Sequence, residues 1–152
     1  MATQNMLNSP TSAAITCTTT NDSASAGHLG QYVSSIIPFA SAVTMVSSTA
    51  TDMTSISLAA GDWDCDGLLT FTNLGTGVNG LLGWISSTSA TLPDVSLRVG
   101  INATGMTANF SIAIPRIRFS LSTTTTIYIS GYLSNVSGNG AACGYLTARR
   151  PR

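Results

Sequence analysis

The sequence predicts an all-β protein, an antiparallel β-sandwich of the jelly-roll type rather than a small barrel. Only 8% of its 152 residues are charged, and Glu and Lys, two good helix formers, are absent. Ser, Thr, Val and Ile, which suit pleated and half-buried surfaces, are abundant. Segments of alternating apolar and polar residues recur about every 10 to 15 residues from Gln31 onward, and no window shows helical spacing.

The N-terminal part of the chain lacks this alternation. Residues 1–30 are rich in Ser, Thr, Asn and Ala and end in NDSASAGHLG, which is typical of an extended arm or linker. Residues 31–152 then form the β-sandwich domain. An arm of this composition becomes ordered only against an outside surface, so the organisation predicts contact with a neighbouring molecule.

The strand signals follow one another along the domain. The first is QYVSSII, bounded by Pro38, followed by SAVTMVS and by DMTSISLA, which leads to a turn. Next come DWDCDGLLTFTN, the glycine-rich loop GTGVNG and GLLGWISS. After Pro93 the signals are VSLRVGI, NFSIAI, RIRFSLS, TIYISGYL and, beyond the turn SGNG, AACGYLTARR. Strict alternation over about eight strands is typical of half-buried antiparallel sheets.

The alternation also assigns a core. Within DWDCDGLLTFTN, one face carries apolar side chains and the other carries Asp and Thr. The same rule separates apolar residues from Arg116 and Arg118 in RIRFSLS. The predicted core residues are Trp63, Cys65, Leu69, Phe71, Phe110, Ile112, Ile114, Ile117, Phe119 and Leu121.

The stretch DWDCDG has two interpretations. Asp62, Asp64 and Asp66 at alternate positions before a glycine resemble the opening of a calcium loop. Such a loop needs flanking helices and a Glu at its twelfth position, where this chain has Asn73 between strand-like flanks. The strand interpretation explains the spacing without a metal, so no metal site is predicted.

The three Asp remain the calcium candidates of this sequence, because carboxylates so close along one strand face repel each other. Arg116 and Arg118 have the strand-face geometry to neutralise them instead. The hypothesis is therefore that these side chains face solvent or a partner.

Charge and hydropathy exclude several partners. The net charge is zero, so nothing draws the chain to nucleic acid or to an anionic membrane. No run of 18 apolar residues is present, and the N-terminus lacks the pattern of a signal peptide. The basic cluster formed by Arg149, Arg150 and Arg152 is expected to be a solvated end, although such a cluster can also touch an acidic partner.

Catalysis is not predicted. Cys17, Cys65 and Cys143 are too far apart for a zinc pattern and odd in number for a disulfide framework, and the last two are expected to be buried free thiols. His28, the single histidine, lies in the predicted linker. No nucleophile elbow, phosphate-binding loop or histidine cluster occurs. We therefore expect no enzyme activity, no catalytic residues, no cofactor and no small-molecule substrate.

Four ordered segments resemble a β-sandwich module of tailed-bacteriophage and prophage virion proteins. They are TSISLAAGDWDCDGLLTF, GWISSTSATLP, RFSLSTTTTIYISG and GYLTARRPR, and the family pattern is of the type AGDWDV, TSATLP, TTTVYL and ARRxR. The similarity extends from about Asn21 to Arg152. Cys65 stands where the pattern has Val and Asp66 where it has a small polar residue, so a triple-Asp metal site is not a property of the family.

The resemblance implies a structural virion protein made in the cytoplasm of a bacterial host. Such modules occur in capsid decoration or cement proteins and in tail-fibre or tail-tip heads that bind receptors. About 30 residues precede the domain, fewer than a fibre shaft needs, so decoration of the outer capsid surface is preferred and the tail role is the alternative. The expected partners are the major capsid protein and the chain itself, as a homotrimer in preference to a dimer.

Overall fold

A computed structural model describes residues 23–74, 78–106, 108–135 and 140–151. The described residues form nine strands and two short 3-10 turns and no α-helix. The strands are β1 (Tyr32–Ile37), β2 (Val43–Met45), β3 (Thr51–Leu58), β4 (Gly61–Thr72), β5 (Val78–Ser86), β6 (Val99–Met106), β7 (Phe110–Leu121), β8 (Thr125–Asn135) and β9 (Gly140–Arg149). The 3-10 turns span Phe39–Ser41 and Val95–Leu97.

The strands form two antiparallel sheets in jelly-roll order. The first sheet has the order β1-β9-β4-β7, with β2 paired to β9 beyond the end of β1. The second has the order β3-β8-β5-β6. Because β1 and β2 both pair with β9 and share one position, the nine strands fill eight positions. Each sheet takes strands from both halves of the chain, which makes two interlocked Greek keys, the jelly roll. The predicted fold class is thereby confirmed.

Two predicted strands are one strand in the structure. The segments NFSIAI and RIRFSLS both belong to β7, which pairs with β4 along its whole length. Cys65 pairs with Ile117 and Gly67 with Ile114, so two residues of β7, Pro115 and Arg116, oppose the single Asp66. This β-bulge shifts the alternation of β7 by one residue and keeps apolar side chains on the inner face on both sides of it.

The core lies between the sheets. Of the residues that the alternation assigns to it, six are buried and belong to the main apolar cluster: Trp63, Cys65, Leu69, Phe71, Ile112 and Ile114. The other four are partly buried and pack against that cluster: Phe110, Ile117, Phe119 and Leu121. The partly buried four all lie on β7, since an edge strand has a neighbour on one side only.

The described end of the predicted N-terminal arm is folded onto the domain. Residues 26–30 form turns, and the Ser23 hydroxyl accepts from the Tyr32 amide and donates to the Tyr32 carbonyl. The Gly30 amide donates to the Arg150 carbonyl, and the Arg150 amide donates to the Gln31 carbonyl. Residues 1–22 lie outside the described residues, so an extended arm there stays a prediction.

Arg150 corrects the expectation of a solvated C-terminal cluster. It is only 7% exposed, and its guanidinium lies over the Trp63 ring at 4.4 Å from the centroid. Both Nη atoms donate to the Ala60 carbonyl at 3.2 Å, and Nε donates to Gln31. The guanidinium is planar, so it can stack on an aromatic ring while its N–H groups donate hydrogen bonds in the guanidinium plane. Arg150 is therefore part of the folded structure and not a solvated end.

Replacing Arg150 with alanine is expected to lower the free energy of unfolding by about 2–4 kcal/mol, through loss of the cation–π contact and of the buried guanidinium's hydrogen bonds to Ala60 and Gln31. Arg150→Lys should recover only part of this, because an ammonium lacks the planar fork. Urea unfolding of both variants measures the effect. Arg149→Ala is the control, since Arg149 is exposed, and an equal loss there would contradict the assignment.

The connection that follows β5 is hydrogen-bonded to the outer face of the second sheet. The Asp52 carboxylate accepts hydrogen bonds from the Ser89 hydroxyl at 2.6 Å, the Ala90 amide at 2.8 Å and the Ser130 hydroxyl at 2.6 Å. Register places Asp52, Ser130 and Trp84 in one row of that outer face. Trp84 is fully buried on that face, and the bonds from Ser89 and Ala90 to Asp52 hold the connection after β5 beside it.

Candidate functional site

The outer face of the first sheet brings together side chains from four strands. Cross-strand pairing forms one row of Tyr32, Arg149, Asp64 and Arg118. The next outward rows place Thr147 beside Asp66, and Ile36, Tyr145 and Leu68 side by side. Because outward positions recur every second residue, the spacing of the Asp residues along β4 is what lines them up on this face.

Ion pairs connect Asp side chains along β4 to Arg side chains along β7. Arg118 donates from Nη2 to Asp62 Oδ1 at 2.8 Å and from Nε to the same oxygen at 3.2 Å. Arg116 Nη1 lies 3.9 Å from Asp64 Oδ2. The hypothesis that these two arginines pair with the Asp face is confirmed for Asp62 and Asp64. Both guanidinium groups are more than half exposed, so each pair contributes at most about 1 kcal/mol.

Next to these pairs lies an open groove with a volume of about 530 Å³. Its lining contains Tyr32, Ile36, Asp64, Asp66, Arg116, Tyr145, Thr147, Arg149 and Pro151. We call it the outer groove. Two tyrosines, two carboxylates and two guanidinium groups converge there, and its size is that of a typical small-ligand site.

Much of the hydrogen-bonding capacity of the outer groove is unused. Thr147 donates to Asp66 Oδ1 at 2.6 Å, which fixes one carboxylate. Within the described residues, no hydrogen bond or ion pair involves the Arg149 guanidinium or the hydroxyls of Tyr32 and Tyr145. These groups remain available to a ligand or to another protein.

The calcium candidates are not gathered into a metal site. Within the described part of the chain, no group of three His, Cys, Asp or Glu side chains is close enough to hold a metal ion. Asp62 and Asp64 face the arginines of β7, and Asp66 faces Thr147 of β9. Strand spacing therefore spreads the three carboxylates along the face and gives each a different partner.

Replacing Asp66 with serine is expected to change the free energy of unfolding by no more than about 1 kcal/mol, since one partly exposed hydrogen bond is lost and serine can accept in its place. Melting curves with and without a chelator should superimpose for both proteins. A wild-type protein whose melting temperature falls with the chelator, together with a large loss in Asp66→Ser, would restore the calcium hypothesis.

Cys65 and Cys143 are buried free thiols, as the sequence predicts. Burial raises the pKa of Cys65 from 9.0 to about 12, and the negative charges of Asp66 and Asp64 add to the effect. Cys17 lies outside the described residues. Because the thiolate is the reactive form, Cys65 is not a nucleophile at neutral pH.

A thiol reagent at pH 8 is expected to leave Cys65 unmodified in the folded protein and to modify it in denaturant, as peptide mapping by mass spectrometry would measure. The raised pKa also means that above pH 9.0 the unfolded chain loses this proton before the folded one. The contribution of the protonated Cys65 thiol to the free energy of unfolding is therefore complete below pH 9.0 and is lost as the pH rises towards about 12. Rapid labelling of folded Cys65 would contradict its burial.

The edge of the first sheet formed by β1 and β2 is uncharged. No Asp, Glu, Lys or Arg occurs between Leu29 and Thr51. Ile36 is 67% exposed, Phe39 60% and Val46 55%. The opposite edge, β7, has a proline, a bulge and two arginines, the usual protections of an exposed edge.

Sequence reasoning placed the three Asp, Arg116 and Arg118 on this face, but it missed Arg149 and the aromatic residues. Tyr32 and Tyr145 lie at opposite ends of the domain sequence, and only the pairing of β1 with β9 brings them together. The available signal was their outward position on alternating strands, which marks exposure but not proximity.

The comparisons with known proteins concern the fold. No family model matches the sequence, and no curated protein is significantly similar to it. Among solved structures, the VP2 subviral particle of infectious bursal disease virus is 13% identical with a TM-score of 0.49, and the Gx strain of that virus is 15% identical with a TM-score of 0.46. Each covers 79% of this chain, which spans about a third (32%) of theirs. The jelly-roll assignment rests on the strand order itself.

No described helix has the length and hydropathy that a membrane crossing requires.

Proposed function

We propose that this chain is a structural protein of a tailed-bacteriophage virion, a decoration or cement protein that binds the outer surface of the capsid and stabilises the shell. The jelly-roll order and the four sequence segments that resemble phage virion modules support the proposal. Its partners are the major capsid protein and further copies of this chain, arranged as a trimer.

The observation that carries the proposal is the uncharged edge of β1 and β2. An exposed sheet edge is a template for pairing with another chain, and natural monomers protect it with charge or proline. Pro38 lies between the two strands, but neither strand contains a charge. Exposed Ile36 and Phe39 lie along this edge, and apolar side chains grouped at an edge mark a contact with another protein.

The low charge of the whole chain supports an assembled state. With 8% charged residues and zero net charge, copies do not repel one another, so close packing on a lattice has little electrostatic cost. A stable subunit contact of this kind buries on the order of 1,600 Å² in total.

Immunogold electron microscopy of the phage particles tests the location. Label distributed over the head is the expected result, whereas label confined to the tail would replace the capsid role. Shells that lack the protein, incubated with purified chain, should bind it and then resist heat or chelation better than bare shells.

A matched pair of variants tests the edge. Ile36→Arg should weaken binding to such shells by at least about tenfold with an unchanged melting temperature, because a charge then faces the contact. Ser57→Arg on β3, an exposed position at the edge of the other sheet, is the control and should bind normally. Light scattering of the free protein should show a trimer, and a stable monomer both in solution and on the particle would contradict self-association.

The alternative is a tail-fibre or tail-tip head that binds a receptor. The outer groove favours it, because a concave surface with converging tyrosines and arginines is typical of recognition. Label at the tail tip, together with blocking of phage adsorption by the free protein, is the outcome that would select this function.

A further inference from the structure

We infer that the outer groove is a binding site for a neutral, hydroxyl-rich ligand, namely a short oligosaccharide without acidic groups. The inference does not depend on whether the protein occupies the capsid or the tail. It rests on the charge balance, the aromatic pair and the unused hydrogen-bonding groups of the groove.

The charge of the outer groove indicates which class of ligand it can bind. Asp64 and Asp66 line the groove together with Arg116 and Arg149, so its formal charge is zero. A phosphate or an acidic sugar would meet two carboxylates, and a cation would meet two guanidinium groups. A neutral ligand is repelled by neither charge and can hydrogen-bond to both the carboxylates and the guanidinium groups.

Hydroxyl groups fit the polar atoms present. A sugar hydroxyl both donates and accepts, so it can donate to an Asp64 or Asp66 oxygen while it accepts from a guanidinium. Hydrogen bonds to charged groups of this kind are stronger than neutral ones. Asp66 is held in place by Thr147, so one acceptor is preorganised before any ligand arrives.

The two tyrosines provide the apolar part of the site. Tyr32 is 44% exposed and Tyr145 is 37% exposed, and both line the same groove. The carbon-bound hydrogens of a sugar ring form an apolar face that packs on an aromatic ring, and the phenol hydroxyl can bond at its rim.

The site lies on strands rather than on loops. Tyr145 and Thr147 are on β9, which is paired on both sides, and Asp64 and Asp66 are on β4, which is also paired on both sides. Side chains on the central strands of a sheet keep their spacing, so little ordering is required when a ligand binds.

Full-length protein on an array of neutral and acidic oligosaccharides, followed by calorimetric titration of the strongest neutral binder, tests the inference. We expect a dissociation constant on the order of 0.1–1 mM, as small, open sites give. Tyr145→Ala and Arg149→Gln should each weaken binding about tenfold with melting temperatures close to that of the wild type.

Tyr128→Ala is the matched control, because Tyr128 lies on the outer face of the other sheet, and its binding should equal that of the wild type. Tyr32→Ala provides a second aromatic variant on an edge strand, in case Tyr145→Ala does not fold. No binding on the array, a preference for acidic sugars, or equal loss in Tyr128→Ala would each overturn the inference. Loss of self-association in Tyr145→Ala or Arg149→Gln would also overturn it, by making the groove a subunit contact.

Discussion

Replacing Gly144 with alanine is expected to abolish the native first sheet, with a loss of more than about 4 kcal/mol, as only severe core changes produce. Gly144 has φ +149°, and a Cβ there would overlap the carbonyl oxygen of Leu68 and lie 2.9 Å from the carbonyl carbon. Those are backbone atoms of the paired strand β4, so no rotamer change relieves the clash. Circular dichroism and urea unfolding would measure the loss.

Gly105→Ala separates the steric clash from backbone strain. Gly105 also has a positive φ, +79°, but a Cβ there meets nothing within 4 Å. It should therefore lose only the conformational strain, about 1–2 kcal/mol. Equal losses in the two variants would show that the close approach of β9 to β4 is not what requires Gly144.

Replacing Phe71 with alanine is the second large effect, with an expected loss of about 3–5 kcal/mol. Phe71 is fully buried on the inner face of β4, and its ring reaches across the sandwich to Gly131 of β8. Alanine there would leave a cavity between the two sheets, which close-packed neighbours fill only in part. Urea unfolding at constant temperature gives the difference directly.

Phe39→Ala is the matched control for Phe71. Phe39 is 60% exposed in a 3-10 turn, so its truncation should change the stability of the isolated domain by less than about 0.5 kcal/mol. If the two variants lost equal stability, the inner face of β4 would not be the centre of the core.

Alternation along the chain was sufficient to predict the sandwich and the inner residues of β4, because side-chain direction in a strand depends only on position. It also predicted that Arg116 and Arg118 neutralise the Asp face. It divided β7 in two, since the bulge at Pro115 reverses the phase of the pattern and a phase reversal looks like a new strand.

Long-range pairing limited what the sequence could predict of the site. Tyr32 and Tyr145 become neighbours only through β1 and β9, and no local pattern encodes that partnership. The burial of Arg150 depends on Trp63 and on the Ala60 carbonyl, which are distant in sequence. A cluster of arginines near the end of a chain therefore gave no sign that one of them is a core residue.

The strand order has a consequence for how the chain folds during synthesis. β8 joins β3 to β5, and β9 joins β1 to β4, so both sheets depend on two strands that follow all the other described strands in the sequence. Until β9 leaves the ribosome, β1 has no partner in its sheet among the described strands, and its uncharged edge is open to other chains. Folding should accordingly be slow, as non-local pairing requires, and the nascent chain should be most exposed to aggregation in the interval before β9 leaves the ribosome.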